Sequence, residues 1–318
     1  MTPRSRIGIA ACAISLPMVL TACGSSSSSS GGSSTTGAGA GTTVRIADKG
    51  FTESRVVADA YAAALKEAGF STSVKSLASS QLADGAVRNG QIDMYPEYDG
   101  TTFLTILKKT TAQAPKSRDA FFALVQKGSA ARGLTALPPA PYNNGNEVAC
   151  TKDAVAKYHI TDLSALGKAS PNLTYSANAE HLTRADGLPL LSKTYGVHFK
   201  KVITVDITLR YKPIQGGQAQ CVYAFGTDPQ LAKLPLVLIK DDKGAFAGTV
   251  PFRTYPVVNA KWLAGLSPDV RTAFTATLAK VDAALTQTKI QQLNASVDID
   301  KEDPSDVADT FVKSLGAM

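Results

Sequence analysis

The 318 residues are 44% hydrophobic, 19% charged and 7% aromatic. That excludes a disordered or collagen-like chain and leaves enough apolar material for one large domain or two ordinary ones. Lys and Arg number 33 against 26 Asp and Glu, but the basic residues are scattered with no run of five, so nothing argues for a nucleic-acid groove.

Residues 1–23 read MTPRSRIGIAACAISLPMVLTAC. Arg4 and Arg6 lead into an apolar run of 14 residues at 7–20, short of the roughly 20 that a membrane span needs. The pattern predicts a signal peptide over residues 1–22. It ends in Leu20-Thr21-Ala22-Cys23, which resembles the lipobox of bacterial lipoproteins. That resemblance implies lipidation of Cys23 and an extracytoplasmic protein anchored to the cell membrane, because two or more acyl chains at about 0.8 kcal/mol per buried methylene hold stably. An ordinary cleaved signal with an incidental Cys is the alternative. Residues 24–43 contain only Gly, Ser, Thr and Ala. Such a tract behaves as a flexible coil with a reach of about 25 Å, so 23–42 is read as a tether. Its GAGAG stretch has no strand before it and no helix after it, which rules out a nucleotide-binding loop. Cys12 leaves with the signal. Cys150 and Cys221 remain in an oxidising setting, where one disulfide is expected and two buried thiols in neighbouring strands are the alternative.

Val44, Ile46 and Ala47 predict a short first strand. Thr52 reads as the N-cap of a helix with Val57, Tyr61, Ala64 and Leu65 on one face and Gly69 as its stop. A strand around 73–77, a helix around 81–89, a strand over 91–95 and a helix after Gly100 follow. The alternation argues for an α/β fold with parallel strands. Near the end, Ser267-Pro268-Asp269 and Asp303-Pro304 open helices, the last carrying Val307, Phe311, Val312 and Leu315 on its apolar face. In open parallel sheets ligands sit outside the carboxyl ends of strands. Three such turns are chemically loaded: at Lys49, at 98–101 and at 223–228. His159, His181 and His198 lack metal-ligand spacing, and neither a nucleophile elbow nor a phosphate loop is present. No enzyme, metal or cofactor is expected.

Taken together, DKGFTES (48–54), IDMYPEYDGTT (92–102), TRADGLP (183–189), and YAFGTD (223–228) followed by DDKGAF (241–246) resemble the substrate-binding lipoproteins of osmoprotectant ABC importers, the glycine betaine/carnitine/choline family. The resemblance runs from about residue 43 to the end. It implies a class II periplasmic binding protein: two α/β lobes joined by a hinge, here 43–140 plus 258–318 and 141–257. The protein would act as a monomer that captures a small osmolyte and presents it to an ABC permease and its ATPase. A lipoprotein of the same fold that senses a different or bulkier small molecule is the alternative.

The ligand explains the residue types. A trimethylammonium group carries a full charge without a strong hydrogen-bond donor, and aromatic faces attract it at ~0.5–2 kcal/mol per contact. A betaine also carries a carboxylate, which calls for cationic or hydroxyl donors. Mapped onto the family pattern, Tyr98 and Tyr223 are cage walls, and Phe252 of Val250-Pro251-Phe252 is a third. The fourth wall is normally the Tyr of an Asn-Asn-x-Tyr stretch. This chain reads Asn143-Asn144-Gly145-Asn146, so Asn146 stands in that place and Tyr142 is the candidate substitute. Lys49, Thr101 and Arg184 match the carboxylate side. Two cations favour a zwitterion over choline, and the altered cage implies weaker binding of glycine betaine or a bulkier ligand. Tyr195 and Tyr211 fall outside the cage and are read as packing residues.

Overall fold

The computed structural model describes residues 37–246 and 250–317. The expected signal peptide and Cys23 lie outside the described residues, as does most of the tether. The rest forms two five-stranded sheets. The first has the order β2-β1-β3-β10-β4, built from β1 (Thr43–Asp48), β2 (Ser71–Ser76), β3 (Met94–Tyr98), β4 (Leu134–Ala136) and β10 (Thr254–Asn259). The second has the order β7-β6-β8-β5-β9, from β5 (Asn146–Thr151), β6 (Thr174–Ala177), β7 (Lys201–Thr204), β8 (Cys221–Phe225) and β9 (Leu236–Leu238). The chain crosses between the sheets twice, after β4 and again before β10.

The sheets are mixed, which corrects the expectation of parallel strands. β1 runs parallel to β2 and β3, but β10 is antiparallel to both β3 and β4. In the second sheet β5 is antiparallel to β8 and β9. The reason is topological: a strand that enters a sheet from the other lobe arrives from the ligand side and must run back along its neighbour. The whole of β10 belongs to the first sheet, so the expected boundary at 257/258 falls inside that strand.

Local signals hold in most places. Ser267 caps the helix Pro268–Ala284 by accepting from the Val270 N–H, and Asp303 caps Pro304–Lys313 through the Ser305 N–H. Thr52 is not a cap. Phe51 occupies that position, and Thr52, the first helical residue, instead donates its hydroxyl to Asp298 Oδ1 at 2.6 Å. The helix Thr52–Glu67 is buried well beyond the expected face, including Val56, Ala58, Ala60 and Ala63. It is clamped between the first sheet and the C-terminal helices, where Tyr61 donates to Asp282 at 2.5 Å. Small residues on its second face let those helices approach closely.

The second sheet is covered on both faces, so its strands alternate between two cores. Val148, Cys150, Cys221 and Tyr223 face one core, while Ala149, Val222 and Ala224 face the other. Cys150 and Cys221 are direct partners across β5 and β8 and form a disulfide with Cα atoms 4.0 Å apart.

Candidate functional site

The carboxyl ends of β1, β3 and β8 point at the gap between the two sheets. A cavity of about 60 Å³ lies there. From the first lobe come Lys49, just after β1; Phe51, preceding the first helix; Tyr98, the last residue of β3; Thr101; and Phe252. From the second come Asn146 at the start of β5, Tyr223 and Phe225 on β8, and His181 and Arg184 beyond β6.

Five aromatic side chains therefore converge. Phe51 lies 6.2 Å from Tyr98 and 5.6 Å from Phe225, while Phe225 meets Tyr223 edge-on at 5.0 Å. Phe252 completes the ring wall, and its placement depends on three neighbours. Asn143 Oδ1 accepts from its backbone N–H at 2.7 Å, and its carbonyl accepts from the Asn144 N–H at 2.9 Å. Gly100 supplies clearance, since a Cβ there would lie 2.5 Å from the Pro251 carbonyl and 2.8 Å from the Phe252 ring. His181 stacks on Tyr223 with centroids 3.8 Å apart and shares a hydrogen bond of 3.0 Å with the Tyr175 hydroxyl. Burial, with the neighbouring Arg184 charge, pushes the His181 pKa down to about 3, so the ring is neutral and acts as a flat backing for Tyr223.

Both expected cations reach the cavity already paired. Lys49 Nζ is held by Glu97 Oε1 and lies 4.4 Å from the Tyr98 ring centroid. Arg184 makes a two-pronged contact to Asp186, at 2.9 and 2.5 Å, with Glu180 at 3.6 Å. Burial works against the Asp186 carboxylate, but the Arg184 charge and hydrogen bonds hold its pKa below the usual value. A ligand carboxylate would share these cations with protein acids.

Seven of the eight residues expected to touch ligand line the cavity: Lys49, Tyr98, Thr101, Asn146, Arg184, Tyr223 and Phe252. Tyr142 does not. It is buried behind Tyr98, its hydroxyl 3.1 Å from Glu53 Oε1. Asn146 accepts the Tyr223 hydroxyl at 2.6 Å and sets the angle of that ring. Phe51 and Phe225 escaped the sequence reading although both sit inside the motifs already quoted; an aromatic residue one or two places from a motif position was the available signal. Tyr195 and Tyr211 lie outside the cavity, with their hydroxyls directed to Asp241 and Asp228. Among the described residues no group of three or more His, Cys, Asp or Glu is gathered as a metal site.

Residues 42–314 match the family described as OpuAC, the substrate binding domain of the ABC-type glycine betaine transport system. The chain belongs to that family. It is 30% identical over 285 residues to a glycine-betaine-binding protein of Pseudomonas aeruginosa, covering 85% of this chain and 87% of that one. A Helicobacter pylori protein named as an ergothioneine transport permease and binding protein is 29% identical over 231 residues, covering 73% of this chain but 40% of that one. Among solved structures, a glycine betaine/carnitine/choline ABC transporter protein superposes with a TM-score of 0.64 at 24% identity, over 85% of this chain and 98% of the other. The fold is accordingly that of a class II periplasmic binding protein. Members of the family bind solute for an ABC permease outside the cytoplasm, and the chain is a solute-binding protein rather than an enzyme.

Proposed function

We propose that this protein is a lipid-anchored receptor that captures a quaternary-ammonium osmolyte of the glycine betaine type between its lobes and presents it, as a monomer, to an importer's permease driven by a partner ATPase. The observation that carries the reading is the convergence of Phe51, Tyr98, Tyr223, Phe225 and Phe252 from both lobes on one cavity. Five ring faces offer a methylated cation several contacts of ~0.5–2 kcal/mol each, the upper end applying where water is excluded. Strongly hydrated small cations gain less, because the rings do not replace their water shell. Lys49, Thr101 and Arg184 supply donors for a carboxylate. Lipidation of Cys23 would add the anchor, and the tract behind it would leave the receptor free to turn above the membrane.

Calorimetric titration with glycine betaine, carnitine, choline, proline and ergothioneine tests the reading. Binding of at least one quaternary ligand is expected, with Tyr98→Ala losing all of them. Arg184→Ala should weaken glycine betaine far more than choline; equal losses would remove the carboxylate assignment. Preference for ergothioneine would support the bulkier-ligand reading, which the Helicobacter relative favours by its name. Failure of every quaternary compound would overturn both.

A further inference from the structure

The DKGFTES motif also contains an acid that does not line the cavity. Glu53 lies in the first turn of the helix Thr52–Glu67 and is 3% exposed. Five side-chain donors surround its carboxylate. Oε1 accepts from the Tyr98 hydroxyl at 2.6 Å, the Tyr142 hydroxyl at 3.1 Å and Asn144 Nδ2 at 2.9 Å. Oε2 accepts from the Thr227 hydroxyl at 2.5 Å and Asn294 Nδ2 at 2.9 Å. Two of these donors are amide nitrogens, which can only donate, so the arrangement suits an acceptor-only carboxylate.

None of the five is charged. The cavity's other acids have cations: Glu97 has Lys49, and Asp186 and Glu180 share Arg184. Among the described residues no Lys, Arg or His makes an ion pair with Glu53. A buried charge without a counter-charge is costly, and here burial drives the Glu53 pKa upward against the pull of Thr227, Tyr98, Asn294 and Tyr142. The five donors, two of them amide nitrogens that can only donate, oppose that drive and suit the ionised form, which places a negative charge one phenol ring away from the cavity. Tyr98 transmits it, because its hydroxyl donates to Glu53 while its ring lines the cavity. That ring already attracts one cation, the Lys49 ammonium.

We infer that Glu53 is the counter-ion of the bound quaternary nitrogen, acting through the Tyr98 ring without touching the ligand. It is a positioning and specificity residue: its charge strengthens the aromatic cage for cations, while the ring keeps it from binding small hydrated ions directly. This inference rests on the quaternary-ammonium reading and deepens it.

The test compares glycine betaine with tert-butylacetate, in which carbon replaces the quaternary nitrogen and the shape is kept. Both are titrated calorimetrically into the wild-type protein, Glu53→Gln and Glu53→Asp, with thermal melts to confirm folding. Glu53→Gln should weaken glycine betaine by about tenfold or more and leave tert-butylacetate unchanged or improved, collapsing the ratio of the two affinities. Glu53→Asp, which keeps the charge, should preserve that ratio even where both affinities fall. Equal losses for the two ligands in Glu53→Gln would reduce Glu53 to a scaffold residue and overturn the inference, while leaving the receptor reading intact. Absence of binding by every quaternary ligand in the wild type, ergothioneine included, would instead overturn the receptor reading, and this inference with it.

Discussion

Asn146 shows how a single residue changes meaning once its neighbours are known. In the sequence it marks a missing ring. In the structure it bridges the Tyr223 hydroxyl and the Asp186 carboxylate, at 2.6 and 3.4 Å, and so couples a cage wall to the acid that holds Arg184. Phe51 and Phe225 line the same cavity. Its neighbour Glu147 carries a pH prediction. Burial, with the charge of Asp241, pushes the Glu147 pKa from its ordinary 4.5 up to about 7. A carboxyl that binds its proton more tightly when folded contributes stability that is complete below its unfolded pKa and is lost as pH rises through the folded one. Glu147→Gln should therefore gain thermal stability relative to wild type between about pH 5 and about pH 8. A melting difference that stays constant over that range would refute the assignment.

At the scale of elements, β5 and β8 do two jobs at once. They carry Asn146, Tyr223 and Phe225 on the cavity side and are stapled by Cys150–Cys221, four residues along from the Asn146–Phe225 pair. The bond closes a loop with a sequence separation of 71, which chain entropy values at about 4 kcal/mol. The Cys150→Ser/Cys221→Ser pair should lower unfolding free energy by about 2–5 kcal/mol in denaturant titrations. No shift of the midpoint would mean that the sheet is already fixed by packing. The pairing was open in the sequence because strand register was not visible there; the structure makes the two residues direct partners. The helix Thr52–Glu67 gives the opposite lesson. Its one apolar face was legible from spacing, whereas its second buried face consists mainly of alanines, which carry little periodic signal.

For the whole molecule, the seam between the lobes has a polar part that passes through Glu53. Thr227, which follows β8 in the second lobe, donates to Glu53 and accepts from Asn294 Nδ2 on its carbonyl at 3.3 Å; Gln230 reaches Asp298 at 2.9 Å. The same carboxylate thus meets the cage on one side and the opposite lobe on the other. Thr227→Val removes one hydrogen bond to a charged group, worth about 1.5–3 kcal/mol, and should lower glycine betaine affinity by about tenfold or more. Stopped-flow measurement should locate most of that loss in faster dissociation. Unchanged dissociation would mean that this contact takes no part in holding the closed form.

The sequence by itself determined the α/β alternation, the helix starts at Ser267 and Asp303, and the motif residues that turned out to line the cavity. Those features rest on local chemistry: capping oxygens, proline, periodic apolar residues and short spacings. Tertiary structure decided the mixed strand directions, the membership of β10 in the first sheet, the neutralisation of Lys49 and Arg184, and the gathering of donors around Glu53. The five donors come from 45 to 241 residues away along the chain. No local pattern records that distance; only tertiary packing brings them onto one carboxylate.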